Sequence, residues 1–482
     1  MSLRKGVFWS TIDRLTAQGL QFLMTIIITR FVSPEEYGLV AMLAIFIALS
    51  NSIIESGFSN ALIQKQERTD LDFSVVFYYN VLIAIGIYFI LYLCSPFIAE
   101  FYQEPRLELL TKIVCLSLII SSFSVVPNAK LTIAMDFKSI TKSSLAGGLL
   151  SGIVGIYMAI NGYGVWAIVS QSLLQYFISA VLLWHFIKWH PILRFSMDSF
   201  KSLYSFGSKM MISGLLHTVY LNMYTLVIGK FFNAHVVGLF NRSNSLAQYP
   251  STNIVGIINR VYFPALCKLQ FDSKSFADLF HSYLRMACFV IFPLSTMLAA
   301  LADPLVRFLL TDKWAGAIIP LQIIALAYMF YPVMLINNQP LQALNHTTMF
   351  LISEIFKKTV AVILLFLSLK YGLYFLCLSI LFYNILDVLI ILLFTRRVMD
   401  TGYRKQIKEL IPIFLCSIIS GSIVFFIVSF IHIHVFYLLI VGAIFGMVAY
   451  VILSNSFRIQ ELQIINNIIK KYVQSNSSNT SL

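Results

Sequence analysis

The stretch TIIITRFVSPEEYGL at residues 25–39 recurs 200 residues later as TLVIGKFFNAHVVGL at residues 225–239. Without a gap, seven positions between residues 12 and 39 are identical to their counterparts between 212 and 239. Further landmarks repeat at an offset of 208, namely Pro96 with Pro304 and Tyr163-Gly164 with Tyr371-Gly372. A long apolar chain built from two related halves is typical of transporters, whose cargo passes between the halves.

The composition indicates a membrane protein. Of the 482 residues, 59% are hydrophobic and 11% are charged, whereas roughly a quarter of the residues of soluble domains are charged. Arg4 and Lys5 precede an apolar segment that is too long for a signal-peptide core and has no small-residue cleavage site, so no cleavable signal is predicted. The six cysteines show no ligand spacing, and we predict neither a disulfide framework, nor a metal site, nor a cofactor.

Apolar runs of about 20 residues predict transmembrane helices, and we expect an all-α protein with fourteen of them. The runs lie near residues 8–30, 38–62, 74–95, 109–128, 143–161, 164–187, 203–229, 238–262, 284–302, 316–340, 349–369, 373–395, 410–431 and 435–453. The repeat groups them into two six-helix lobes, residues 1–195 and 196–400, followed by two additional transmembrane helices within residues 401–453. Residues 454–482 are predicted to form a cytoplasmic tail that begins as an amphipathic helix on the membrane surface.

The placement of lysine and arginine predicts the orientation. With both termini in the cytoplasm, the inside segments carry 21 of the 34 Lys and Arg residues and the outside loops carry 7. Basic residues concentrate on the cytoplasmic side of membrane proteins, so both termini are predicted to be cytoplasmic. The net charge of +13 then reflects topology and contact with anionic membrane lipids, and nucleic-acid binding is not predicted.

Four predicted helices, two in each half, carry polar side chains spaced by three or four residues. This spacing places the side chains on one helix face, and ionisable residues at membrane depth usually face protein or water. We therefore expect these faces to line a water-accessible cavity that binds substrate. The candidate substrate-binding residues are Arg14, Gln18 and Gln21 on the first helix, Asn51 and Glu55 on the second, Lys209, Ser213, His217, Tyr220 and Tyr224 on the seventh, and Arg242 and Arg260 on the eighth.

The same residues have a structural alternative, because polar side chains also join helices to one another or reach the interface from span ends. Interfacial placement is the alternative for Lys209, Arg242 and Arg260. Asp13, Glu55 and Asp387 are candidates for ion coupling. Asp387 has no cation near it in the sequence and either pairs with one on another helix or carries an ion.

Positive charge exceeds negative charge in the predicted cavity, which should therefore attract an anion. The cations are Arg14, Lys209, Arg242 and Arg260, and the acids are Asp13 and Glu55. Guanidinium groups suit the oxygens of phosphate and diphosphate. The tyrosines and amides of the same helices offer the stacking and hydrogen bonding that sugars accept.

Several longer sequence motifs resemble those of a known protein family. The run VGLFNRS at residues 237–243 is followed by LAQYP at 246–250 and FPALCKLQFD at 263–272. Further motifs are GVFW at 6–9, RFVSPEEYG at 30–38, DPLV at 303–306 and Lys313-Trp314. Together they resemble the polysaccharide-exporter family of bacterial lipid-linked oligosaccharide flippases, over the chain as far as about residue 400.

The resemblance implies the multidrug/oligosaccharidyl-lipid/polysaccharide exporter fold, in which two six-helix lobes form a V that opens alternately to either side. It implies that the chain flips an oligosaccharide linked to undecaprenyl diphosphate across the bacterial inner membrane, for O-antigen, capsule or exopolysaccharide assembly. The implied partners are this lipid-linked oligosaccharide, membrane lipids, and the polysaccharide polymerase and chain-length machinery. The resemblance supplies no residue motif for the substrate contacts.

Two other functions stay open at this point. An ion-coupled exporter of small molecules or drugs from the same superfamily would use acids such as Glu55 and Asp387. A polyprenyl-dependent glycosyltransferase or polymerase would need carboxylates or histidines on sizeable outside loops, whereas every predicted outside loop has at most about a dozen residues. No GxxxxGK[ST] loop is present, so ATP-driven transport is not predicted. We therefore predict a transporter and not an enzyme.

Overall fold

The computed structural model describes residues 19–55, 58–65, 67–194, 196–399, 403–431 and 433–464. Within these ranges all regular elements are helices. The α-helices are α1 (Gly19–Phe31), α2 (Pro34–Glu55), α3 (Phe58–Gln64), α4 (Asp70–Tyr102), α5 (Arg106–Val114), α6 (Leu116–Ile133), α7 (Phe137–Ile160), α8 (Val165–Phe186), α9 (Met197–Phe231), α10 (Ala234–Lys268), α11 (Ser273–Ala300), α12 (Ala302–Leu310), α13 (Ile318–Met329), α14 (Tyr331–Ala343), α15 (Thr347–Ser368), α16 (Leu373–Arg396), α17 (Tyr403–Phe430) and α18 (Val435–Ser456). Two 3₁₀-helices, η1 (Asp312–Ala317) and η2 (Leu369–Tyr371), complete the elements.

In the described part of the chain, ten helical segments are long and apolar enough to cross a membrane. They are α2, α4, α5 with α6, α7, α8, α11, η1 with α13 and α14, α16, α17 and α18. The prediction of an all-helical, multi-pass membrane protein is confirmed. Large apolar side chains such as Leu82, Phe97 and Phe430 are 69–76% exposed, as expected for side chains that face lipid.

Helix length and hydropathy identify ten membrane spans in the described part of the chain, fewer than the fourteen predicted. The other four predicted spans coincide with α1, α9, α10 and α15. The described part of α1 is too short to cross a membrane by itself. The other three are long enough but more polar, because α9 and α10 carry the predicted polar faces and α15 carries Glu354, Lys357 and Lys358 in its interior. The count of fourteen therefore stays a prediction.

Two predicted spans are each divided into two helices. The span near residues 109–128 breaks at Cys115, between α5 and α6, and the span near 316–340 breaks at Phe330, between α13 and α14. Pro332 lies in the first turn of α14. Proline has no backbone N–H, and the N–H groups in the first turn of a helix have no partner within that helix. Proline at this position therefore favours the start of a new helix.

The chain forms two compact units, residues 1–241 and 242–482, and the division falls inside α10. In the first unit, α7 packs along α8, and α9 packs on α2, α3 and α4. In the second unit, α17 packs on α11 and α18 packs on α12. The predicted domain limits at residues 195 and 400 stay predictions.

The start of the predicted tail lies against the core of the second unit. Ile459 is buried there, and Leu462 packs beside it on the same cluster of side chains. Glu461 is only 3% exposed and accepts a hydrogen bond from Arg285 of α11 at 2.8 Å. These residues therefore face protein and not a membrane surface, and the predicted tail beyond residue 464 lies outside the described residues.

Candidate functional site

The predicted cavity residues fall into two groups. Asp13, Arg14 and Gln18 lie outside the described residues, as do the side chains of Lys209 and Ser213 on α9. The described candidates are Gln21 on α1, Asn51 and Glu55 on α2, His217, Tyr220 and Tyr224 on α9, Arg242 and Arg260 on α10, and Asp387 on α16. Gln21, Glu55, His217 and Arg260 are exposed. Exposure of ionisable side chains is what a water-accessible surface requires.

The polar faces of α2 and α9 lie beside each other in the first unit. A Cβ atom built on Gly214 of α9 would lie 3.0 Å from Ser52 Oγ of α2. Asn51 and Glu55 flank this crossing on α2, and His217 lies one turn beyond Gly214 on α9. Since small residues let helices approach closely, Gly214 allows the two polar faces to come together.

Asn51 and Glu55 differ in their surroundings. Asn51 Oδ1 accepts a hydrogen bond from Ser121 Oγ of α6 at 3.4 Å, so this amide joins two helices. Glu55 forms no ion pair with any cation among the described residues. Its carboxylate lies within electrostatic range of the Tyr176 phenol on α8. Glu55 is therefore open to a ligand or an ion, whereas Asn51 has a structural partner.

Tyr224 packs against protein. Its ring stacks on the ring of Phe240 in α10, with centroids 6.2 Å apart and planes inclined by 18°. One residue further along each helix, Thr225 Oγ1 donates a hydrogen bond to Asn241 Oδ1 at 3.1 Å. The end of α9 is thus fixed to the start of α10, and this arrangement favours a packing role for Tyr224.

The repeated glycines meet at the same end of α10. A Cβ atom built on Gly38 would overlap the carbonyl oxygen of Ala234 and lie 3.0 Å from Gly238 N. A Cβ atom built on Gly238 would overlap the carbonyl oxygen of Pro34 and lie 3.2 Å from Gly38 N. The two contacts are reciprocal, so α2 and α10 cross about a local two-fold axis with their backbones in contact.

The two arginines of α10 lie in opposite environments. Arg242 is 2% exposed, which places it inside the protein and not at a membrane interface. Arg260, eighteen residues further along, is exposed. A buried guanidinium requires charged or polar partners, whereas an exposed one is available to a soluble or membrane-bound anion.

Asp387 finds its partner on another helix. Lys357 Nζ of α15 lies 3.4 Å from Asp387 Oδ1, and both side chains are less than 5% exposed. Lys357 also pairs with Glu354, and Asn338 of α14 bridges the two by hydrogen bonds of 3.4 Å. Tyr383 donates to Asp387 Oδ2 at 3.3 Å. Of the two alternatives for Asp387, these contacts favour pairing across helices.

A second, partly buried network has no local signal in the sequence. His281 Nδ1 and Glu409 Oε2 are 2.7 Å apart, and Arg285 lies 3.7 Å from Glu409 and 2.8 Å from Glu461. The four residues come from α11, α17 and the segment after α18. Because 128 residues separate His281 from Glu409 and 176 separate Arg285 from Glu461, spacing along the chain does not reveal these contacts.

Metal binding has no support in the described residues. Within the described ranges, no group of three or more His, Cys, Asp or Glu side chains is arranged to hold a metal ion. The buried carboxylates of Asp72, Asp387 and Glu461 instead lie beside Lys65, Lys357 and Arg285, respectively.

Comparisons with known proteins agree with this architecture. A family model described as polysaccharide biosynthesis protein matches residues 27–320. The teichuronic acid biosynthesis protein TuaB of Bacillus subtilis (strain 168) is 24% identical over 344 residues, which cover 71% of each chain. The lipopolysaccharide biosynthesis protein WzxC of Escherichia coli (strain K12) is 26% identical over 337 residues, or 67% of each chain.

A solved structure extends the likeness to the whole fold. The lipid II flippase MurJ, in an inward closed conformation, aligns with a TM-score of 0.75 and 18% sequence identity. The alignment covers 94% of this chain and 98% of that one. At this level of identity the likeness shows a shared fold.

Proposed function

This chain belongs to the polysaccharide biosynthesis protein family, and from that premise we propose that it flips a polyprenyl-diphosphate-linked oligosaccharide across the bacterial inner membrane by alternating access. The observation that carries the proposal is the meeting of the polar faces of α2 and α9 at Gly214 and Ser52. A lipid bilayer offers no partners to such faces, so they serve either helix contacts or a hydrophilic cargo.

The relatives support this class of cargo. TuaB is named for teichuronic acid biosynthesis and WzxC for lipopolysaccharide biosynthesis, and MurJ is named a lipid II flippase. For this chain we infer the undecaprenyl diphosphate type of carrier, with the polysaccharide polymerase and chain-length machinery as partners. Both termini are proposed to be cytoplasmic, as the distribution of lysine and arginine predicts.

Charge supports binding of a diphosphate head. Among the described candidates, Arg260 is exposed and cationic, and the proposed site also includes Arg14 and Lys209. Guanidinium groups bind phosphate oxygens in a bidentate manner. We propose that Arg14 and Lys209 hold the diphosphate while exposed polar groups of the same unit, His217 among them, contact the sugars and the polyprenyl tail stays in lipid. Arg260 is a separate candidate for the diphosphate on the second unit.

Ion coupling is assigned to Glu55 ahead of Asp387. Asp387 already has a cationic partner in Lys357, 3.4 Å away on another helix. Glu55 has no cationic partner in the described part of the chain. We propose that Glu55 binds the coupling proton or cation, with Asp13 as a second candidate.

The test is translocation by the purified, full-length protein in liposomes. A fluorescent oligosaccharide on undecaprenyl diphosphate is placed in one leaflet, and its accessibility to an enzyme added outside is followed with time. Translocation that is lost on Arg14→Ala, in a protein that still unfolds at its usual temperature, is the expected result. Export of cationic drugs without movement of the lipid-linked sugar would favour the ion-coupled exporter.

A further inference from the structure

An apolar groove with a cavity of about 140 Å³ opens between α16 and α17. Its walls are Val388 and Leu392 on α16, and Leu410 and Phe414 on α17. Each pair is spaced by four residues, so each wall follows one face of its helix. Phe292, a buried residue of α11, also lines the groove. The groove therefore offers a hydrocarbon chain an apolar surface along both helices.

Cations stand at one end of this groove. Ile407 and Ile411 line the groove and also a shallow hollow on the outer face of α17, which they share with Arg404 and Lys408. Arg404 and Lys408 are one turn apart and both are exposed. No ion pair joins either one to an acidic group in the described part of the chain. An apolar wall thus leads directly to two available positive charges.

Gln406 is a polar residue of α17 that lies between Arg404 and Lys408 along the helix axis. Its side chain is 2% exposed and lines the groove, between Arg404 and Lys408 in sequence. Among the described residues, its Oε1 atom has no hydrogen-bond partner. Because residues two apart on a helix do not face each other, Gln406 lies on the groove side of α17 and not beside the exposed side chains of Arg404 and Lys408.

From the apolar groove and the cations at its end we infer that the groove binds an anionic phospholipid of the phosphatidylglycerol type. The phosphate lies on Arg404 and Lys408, and one acyl chain lies between α16 and α17, along the face of α17 that carries Leu410 and Phe414. The cations lie near the start of a membrane-length helix, where lipid phosphates are found, and anionic lipids are attracted to such clusters. Arg396 and Arg397, exposed at the end of α16, add positive charge to the same end.

The experiment is native mass spectrometry of the purified full-length protein, titrated with phosphatidylglycerol or with phosphatidylcholine of the same acyl chains. We expect phosphatidylglycerol to bind more tightly. Arg404→Ala with Lys408→Ala should weaken its first binding step by roughly 30-fold, at about 1 kcal/mol for each cation near an anionic headgroup. Leu392→Trp, which fills the groove and keeps the charge, should also weaken binding.

The matched control is Lys138→Ala with Lys142→Ala. These lysines are exposed, one turn apart near the start of α7, and predicted to lie on the same side of the membrane. Their loss should leave the first binding step unchanged. An equal effect of the two double variants, or equal binding of phosphatidylcholine, would show diffuse attraction and overturn the site.

Two further results would show which lipid occupies the groove and whether the groove binds lipid. Displacement of phosphatidylglycerol by an equal concentration of undecaprenyl diphosphate would identify a substrate subsite and overturn the phospholipid assignment. If the arginine and lysine variant fails to fold, Leu392→Trp decides, and unchanged binding to that variant contradicts the proposal.

Discussion

Gly38 lies against Gly238, its counterpart in the internal repeat, and each glycine leaves room for the carbonyl oxygen of the residue four positions before the other. Those carbonyls belong to Pro34 and Ala234. The sequence repeat and the helix crossing therefore share one two-fold relationship. Neither glycine tolerates a Cβ atom without separation of α2 from α10.

Substitution of either glycine should therefore disturb the crossing. We expect Gly38→Ala and Gly238→Ala each to cost about 1–3 kcal/mol, as overpacking does, and to reduce transport by roughly 5- to 150-fold, the range to which that energy corresponds. Thermal unfolding of the purified protein and the liposome assay measure the two effects. Gly256→Ala on α10 is the control, because nothing lies within 4 Å of its added methyl group. Normal stability and transport in both variants would refute the contact.

Lys357 should be required for stability. Lys357→Met leaves Asp387 without its cation and leaves Glu354 with only the more exposed Lys358, and removal of one partner from a buried ion pair costs about 3–5 kcal/mol. Adding Asp387→Asn to this variant should restore part of the loss, which a double-mutant cycle of unfolding free energies measures. Lys358→Met is the control. Its lysine is exposed and 3.8 Å from Glu354, so less than about 1 kcal/mol is expected. Strictly additive effects of the two substitutions would exclude the pairing.

Glu461 should hold the segment after α18 against α11 through its contact with Arg285. Glu461→Gln removes the charge that accepts from Arg285 at 2.8 Å in a buried position, and we expect a loss of about 1–3 kcal/mol. The unfolding temperature of the purified protein reports it. Gln460→Ala, at the exposed neighbouring position, should change nothing. Equal unfolding temperatures for the two variants would show that the contact contributes little.

Substitution of Arg242 should lower the stability of the protein, whereas substitution of Arg260 should impair transport. Arg260→Ala is expected to keep the unfolding temperature and to lower the affinity for the lipid-linked sugar, because an exposed guanidinium contributes through its ligand. Arg242→Ala is expected to destabilise the protein, since that side chain is buried. Lys268→Ala removes an equal charge from an exposed position of the same helix and serves as the control. Unchanged transport in Arg260→Ala would remove that residue from the site.

Glu55 should determine how transport depends on pH. If Glu55 binds the coupling proton, Glu55→Gln should flatten the pH profile of translocation in liposomes, because an amide does not titrate. The control is Glu67→Gln, which alters an exposed acid between helices. A profile for Glu55→Gln that matches the unaltered protein would assign Glu55 a structural role.

The sequence alone determined the class of this protein. Apolar runs of membrane length are local features, and they predict helices whatever those helices later contact. The motifs at residues 30–38 and 237–243 indicated the family. The spacing of Asn51 and Glu55 predicted a polar face on α2, which the structure retains. The same spacing placed Tyr224 in the cavity, although its ring packs on Phe240.

Only the tertiary structure decided which faces meet. In a membrane, a lipid-facing side chain and a helix-facing side chain are equally apolar, so hydropathy does not distinguish lipid contact from protein contact. The partner of Asp387, the docking of Ile459 and the contact of Gly38 with Gly238 each join residues far apart in the chain. Periodicity within one helix carries no information about such contacts, because they arise from the packing of several helices at once.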